Sequence, residues 1–511
     1  MTKDQRAVLL KQAAMVSSAG SPMLLICILA LAGVHINLWM VLGASFASFA
    51  LLISGALAAA RLTSNKTLRS LQGDTIHGIT TSATKKQESI APLNWRDKGD
   101  STAKADITIL PKNRRQSVLG FGGALTGATC QVLNRLPITQ RAAVMLELFH
   151  PEQNNLSIAR VSMGSSDYHP ELYSYCDKQG IENFSIEHDW AYVIPTLKLA
   201  LKVNPNLYLF ASPWSPPGWM KPNGTMLGGA MDSTHFGAYA DYFDRYLQAY
   251  RNEGIEIQAV TVQNEVQADQ GGRMPACTWT RELECEFVSQ WLGPTLQEGD
   301  FEDVEIWMMD HNFDMEKRAI ETLDDDDTSE FCRSIAWHGY GGDASAVSRV
   351  KAAQPDSEHH FTEFNTFIDA PDYWTNWTYW GTQIGEAMRN WCRDYTMWNL
   401  ALDEQGKPNI GPFTCGGVVT IDSTSGEMLK SGGFYGLTHY SRYVRRNARC
   451  IESAGTVEGL THVAFLNADG TKVLVLSNAG AARDVTVEYD GSGKVFTVSL
   501  EADSVTSLVW A

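Results

Sequence analysis

The 511-residue chain lacks any surplus of positive charge: 41 Lys and Arg stand against 58 Asp and Glu, for a net charge of −17. No basic stripe interrupts that balance, which excludes a polyanionic partner such as nucleic acid. There is no H-E-x-x-H pair, no P-loop and no G-x-S-x-G elbow, so metal, nucleotide and serine chemistry find no support. "LGFGGALTG" (119–127) has Leu125 where a dinucleotide loop needs its third glycine, and reads as close packing of a strand on its turn. The cysteines show no C-x-x-C spacing. Cys27 lies in an apolar stretch; Cys130, Cys176, Cys277, Cys285, Cys332, Cys392, Cys415 and Cys450 could form bridges or remain buried thiols. The acidic run Asp324 to Asp327 reads as a solvated loop. No metal and no cofactor is expected.

What is present is ordinary globular material, 44% hydrophobic and 19% charged, with 15 Trp, 17 Tyr and 19 Phe. Flat apolar faces in that number suit sugar recognition as well as core packing. Residues 23–60 carry no Asp, Glu, Lys or Arg, and Lys3, Arg6 and Lys11 precede them. That length fits one long anchor, a hairpin of two short spans, or an exported chain cleaved near "SGALAAAR". The expectation is therefore a catalytic domain outside the cytoplasm, secreted or held at a membrane through residues 1–60. Residues 61–105 read as a polar linker.

From there a rhythm sets in. The apolar runs "VLGFGGA", "LSIARVSMG", "LYLFASPW", "AVTVQNE", "VEIWMMDHN", "IAWHGY", "HHFTEFNTF" and "GGVVTID" alternate with helical stretches. Eight such strands predict an α/β fold, a (β/α)₈ barrel over residues 118–445. After Arg446 short alternating runs separated by Gly, Asn and Asp predict a side-packed antiparallel β-sandwich over 446–511. "DITILP" (106–111) supplies it with an edge strand, and residues 106–117 join the two parts.

A barrel of this kind carries its site at the C-terminal ends of its strands. Those ends hold Arg160 with Asp167 beyond it, Trp214, Asn264 and Glu265, Asp310 and His311, His338 and Tyr340, and Glu363. A lone Glu closing a strand is usually a loop salt bridge. Two of them, both among aromatics and on the fourth and seventh strands, which are expected to face one another across the ring, suit a glycosidase that needs paired carboxyls. Glu265 then donates the proton, Asn264 orients it or holds sugar, and Glu363 attacks. For that order Glu265 should titrate above Glu363, raised by burial and by its negative neighbour.

Together "GFGGALTGA", "IARVSMGSSDY", "ASPWSPPGWMK", "VTVQNE", "FTEF", "WNLALDEQGKPN" and "GPFTCGGVVTID" resemble glycoside hydrolase family 30, most of all its glucosylceramidase (acid β-glucosidase) branch. The resemblance runs from about residue 106 to the end. It implies a retaining β-glycosidase, with Glu265 as acid/base, Glu363 as nucleophile, and Asp167, Trp214, Asn264, His338, Tyr340 and Trp398 as substrate-binding positions. It implies a β-glucoside substrate, glucosylceramide first, with endo-β-1,6-glucanase or other β-glucan activity as the alternative. A carbohydrate-binding protein without turnover is the remaining reading. Three rim positions depart from the pattern: Val266 replaces a frequent Pro, Gly339 a Trp, and Met397 an Asp. They bear on the aglycone and leave both glutamates in place.

Overall fold

The computed structural model describes residues 75–99 and 105–511. The apolar segment 23–60 and its anchor or signal reading lie outside the described residues. No helix among the described residues is long and apolar enough to cross a membrane.

Eight parallel strands close into a barrel. In chain order they are Gly120–Gly123, Ile158–Met163, Tyr208–Pro213, Ala259–Thr261, Glu305–Asn312, Ser334–His338, Glu358–Glu363 and Cys392–Met397. Helices such as Phe236–Asn252, which ends at Gly254 with a positive φ as its flanks predict, cover the outside. Seven of the strands are those expected. The eighth is a correction: "GGVVTID" contributes Val419–Ile421 to a separate three-stranded sheet, and Cys392–Met397 closes the ring instead. "CRDYTM" hides as a strand because Arg393 and Asp394 interrupt its apolar pattern. The fold satisfies both, since Asp394 accepts from the Phe361 amide at 2.9 Å and Arg393 pairs with Glu358. At Gly122 the first strand meets the second so closely that a Cβ would lie 1.7 Å from the Ile158 carbonyl oxygen. Only glycine fits there, which bears out the close-packing reading of the glycine-rich run.

The second part is one continuous sheet whose ends curl over a shared core. Ile76 and Phe496, from strands far apart in the pairing order, pack in the same apolar cluster with Ile107, Leu474 and Leu508. Two corrections follow. The polar linker expected over 61–105 contains the strand Thr75–Thr81, which pairs antiparallel with Ser504–Trp510. Its Ser/Thr-rich composition conceals a strand buried throughout its second half, and Thr80 meets Thr506 hydroxyl to hydroxyl at 2.9 Å. Likewise Ile107–Ser117 is no edge: it lies between Arg449–Ala454 and Arg483–Tyr489. The acidic run lies at the surface as expected, and its second half begins a one-turn helix that Asp325 caps by accepting from the Thr328 amide. All eight described cysteines are buried and unpaired.

Candidate active site

The layer of side chains filling the barrel just beneath its C-terminal mouth is polar. Arg160 from the second strand is fully buried; its guanidinium donates to Ser212 Oγ (3.0 Å), Asn264 Oδ1 (2.8 Å), Asp310 Oδ2 (2.7 Å) and Glu363 Oε2. Asp310 collects donors on both oxygens: Thr261 (2.8 Å) and Ser212 (3.2 Å) on Oδ2, Thr362 (2.6 Å) and His338 (3.0 Å) on Oδ1. Every group here would cost several kcal/mol if buried alone, so the network stands or falls together.

Local backbone strain aims the fifth strand into this layer. Its pairing with the sixth shifts register between Met308 and His311, and Met309 and Asp310 have φ of 72° and 45°. Such a bulge re-aims side chains near functional sites. A buried carboxylate holds it: Glu284 accepts from the Met309 amide at 2.7 Å and from Arg318 at 2.6 Å. Glu265 also has positive φ (53°), and its amide donates to the Asp310 carbonyl at 2.9 Å.

Above the layer lies a cavity of about 370 Å³ lined by Asp167, Trp214, Asn264, Glu265, Tyr340, Glu363 and Trp398, among others. Seven of the eight residues singled out from the sequence therefore share one pocket. Trp214 and Trp398 stack at 4.9 Å, and the Arg160 guanidinium lies over both rings. Tyr340 donates to Glu363 Oε1 at 2.8 Å. The eighth, His338, is a correction: it is fully buried under the floor and touches Glu265 Oε1 (3.4 Å) and Asp310 rather than the cavity. Where Gly339 replaces a Trp, a Cβ would lie 2.8 Å from the Phe364 ring, so that ring fills the vacated space. The fourth and seventh strands sit three places apart around the ring, not opposite, yet their glutamates converge. One oxygen from each, with a nitrogen of His338, lies within 4.8 Å of the others.

Sequence reasoning missed several parts. It gave Arg160 and Asp310 strand-end positions but no partnership. It missed Gln270, whose amide donates to Glu265 Oε2 at 3.0 Å, and the rim aromatics Phe367 and Phe413, 45% and 40% exposed. Gln270 and the rim sit on loops, where no periodicity marks them.

Electrostatics also differ from expectation. Burial alone would drag His338 down, but Glu363 and Asp310 lift it to about 9. Burial raises Asp310, yet Arg160 and His338 outweigh it and hold that carboxyl far below its usual range. Burial also pushes Glu265 up, but the hydrogen bond and charge of His338 overcome that and leave it lowered. Glu363 is raised, by burial first, against the pull of His338 and Arg160 and with the push of Glu265. The two directions run opposite to the order expected, because the hydrogen bond and charge of His338 favour the ionised form of Glu265. Asp167 is raised well above its ordinary value by burial and by both glutamates.

A closed eight-stranded barrel, a sandwich at its side and paired carboxyls in an aromatic pocket define a glycoside hydrolase. Residues 118–444 match the glycosyl hydrolase family 30 TIM-barrel domain and residues 447–508 the family's β-sandwich domain, so the chain belongs to family 30. It is 31% identical over 433 residues to an endo-1,6-β-D-glucanase of Neurospora crassa, covering 80% of this chain and 88% of that protein. It is 29% identical over 438 residues to the lysosomal acid glucosylceramidase of Mus musculus, covering 79% and 83%. A solved endo-β1,6-glucanase superposes with a TM-score of 0.78 at 30% identity, covering 86% of this chain and all of that one.

Proposed function

We propose that the enzyme hydrolyses β-glucosides with retention, Glu363 attacking and Glu265 serving as acid and then base. The observation that carries this is the separation of the two carboxyls: oxygens within 4.8 Å suit a double displacement and leave no room for the water of an inverting enzyme, which needs about 6.5–9.5 Å. Glu363 is held for attack by Arg160 and Tyr340. The His338 proton crosses its contact to Glu265 as the leaving oxygen arrives, while His338 keeps its bond to Asp310. Asp167, Trp214, Asn264 and Trp398 hold the glucose ring. Detection of β-glucose as the first anomer in a proton NMR time course supports the reading; first appearance of the α-anomer overturns it.

For the substrate, β-1,6-linked glucan is favoured. One sequence relative and one solved structure named for that activity match at 31% and 30% identity, and two further such relatives at 27%. Glucosylceramide is the second reading, supported by the apolar rim of Phe367 and Phe413 and by the mouse relative. Glucose release from pustulan against ceramide release from detergent micelles decides between them.

A further inference from the structure

The opposite, N-terminal end of the barrel holds a second cluster that the hydrolytic reaction does not use. His360 is fully buried in the seventh strand, and its Nδ1 lies 2.6 Å from Asp394 Oδ2 of the eighth. Asp394 is itself fixed by the Phe361 amide. That contact occupies Nδ1 and leaves Nε2 as the ring nitrogen turned toward the strand ends. Nε2 is buried and has no hydrogen-bond partner. It faces Glu305 Oε2 at 4.0 Å, and one oxygen of Glu358 completes a group whose atoms all lie within 4.8 Å of one another. A buried ring nitrogen with no hydrogen-bond partner, turned toward two carboxylates, makes a donor set that a cation would satisfy.

The surrounding groups hold this arrangement firmly. The Trp307 indole stacks on the His360 ring at 3.7 Å and 9°, and its Nε1 donates to Glu305 Oε2 at 2.8 Å. Arg393 takes Glu358 Oε2, which leaves Oε1 for another ligand. Asp394, Glu305 and Glu358 surround the His360 ring, and among the described residues Arg393 is the one other basic side chain paired with any of them. A histidine ligand whose far nitrogen donates to a carboxylate is the usual support for a bound metal. From this geometry we propose that Glu305, Glu358 and His360 bind one divalent transition cation, with zinc the best match to one imidazole and two carboxylates. Zinc takes such ligands at about 2.0–2.2 Å, which puts ligand atoms roughly 3.3 Å apart, so the cluster closes by about 1 Å around it. Because Glu305 and Glu358 begin the fifth and seventh strands, the ion ties the bottom of the barrel together.

The test uses the full, tag-free chain, stripped with chelator and titrated with zinc by calorimetry, then passed through gel filtration for metal analysis. One zinc per chain is expected. His360→Asn should lose it, and Glu358→Gln, changing a half-exposed side chain, should weaken binding roughly tenfold or more while the fold persists. Glu363→Gln should keep the zinc, because the cluster of Glu265, His338 and Glu363 is a second place where zinc could lodge. The proposal is overturned if no zinc is retained, if Glu358→Gln binds as tightly as wild type, or if Glu363→Gln loses the metal.

Discussion

At the scale of single residues the two glutamates were legible and their wiring was not. Glu265 and Glu363 stand out because apolar strand patterns stop at them. Arg160 and Asp310 are 150 positions apart, and nothing in either neighbourhood announces that they pair. Two predictions follow from the roles assigned. On an aryl glucoside, whose leaving group needs little protonation, Glu265→Ala should spare the first step and slow the second. Azide should then restore turnover and yield the β-glycosyl azide; an α-azide from this variant would exchange the two roles. The second concerns pH. Activity needs Glu363 ionised, so the acid limb of kcat/KM belongs to it and should lie above the ordinary Glu value, in line with its raised pKa. The basic limb reports loss of the proton shared by His338 and Glu265, held on a histidine lifted to about 9. His338→Gln should move that limb to lower pH. An unmoved limb would remove His338 from the proton path. Stability has the same sign: a raised histidine stabilises fully below its unfolded value near 6.5 and loses that contribution as pH rises through about 9.

At the scale of elements, periodicity located seven barrel strands and failed where polar residues were satisfied by partners far along the chain. Asp394 and Arg393 made the true eighth strand look like a loop, and "GGVVTID" looked the part although it pairs with Ala401–Leu402 outside the ring. The strand in "TIHGITT" was equally hard to see, since its second half is buried on both faces and carries threonines there. The bulge in the fifth strand is of the same kind. It depends on Glu284, which lies in the helix Arg281–Phe287 and is charge-paired to Arg318 in another helix. Arg318→Met leaves that carboxylate buried without its cation. The expected cost is about 3–5 kcal/mol in chemical denaturation, with an accompanying fall in kcat as Asp310 loses its aim. Breaking the exposed Arg349–Glu316 pair should change the denaturation midpoint little. Equal effects from the two substitutions would refute the support assigned to Glu284.

At the scale of the whole molecule, the match of the two domains to separate family segments suggests two folding units, but the packing argues for one. The larger apolar cluster runs without a break from Trp377, Trp380 and Ile384 of the barrel into Val473, Val475, Val505 and Val509 of the sandwich. Polar contacts cross the same seam: His439 lies 2.8 Å from Ser507 Oγ and 2.9 Å from Thr81 Oγ1, and Trp377 Nε1 donates to the Asp503 carbonyl. The helix Trp377–Arg389 approaches so closely that a Cβ on Gly381 would lie 2.5 Å from Ser477 Oγ and 2.9 Å from Val505 Cγ2. In a free helix, replacing glycine with a better helix former stabilises by up to about 1 kcal/mol. Here the added side chain must enter a filled seam, and overpacking of that sort costs about 1–3 kcal/mol, so the sign reverses. Gly381→Leu should therefore lower the melting temperature. Because the seam belongs to both parts, the variant should still melt in one transition, with calorimetric and van't Hoff enthalpies in agreement. Loss of glycosidase activity should track that transition. A variant that melts in two steps, the barrel keeping its activity after the sandwich has unfolded, would show that the seam joins two independent units.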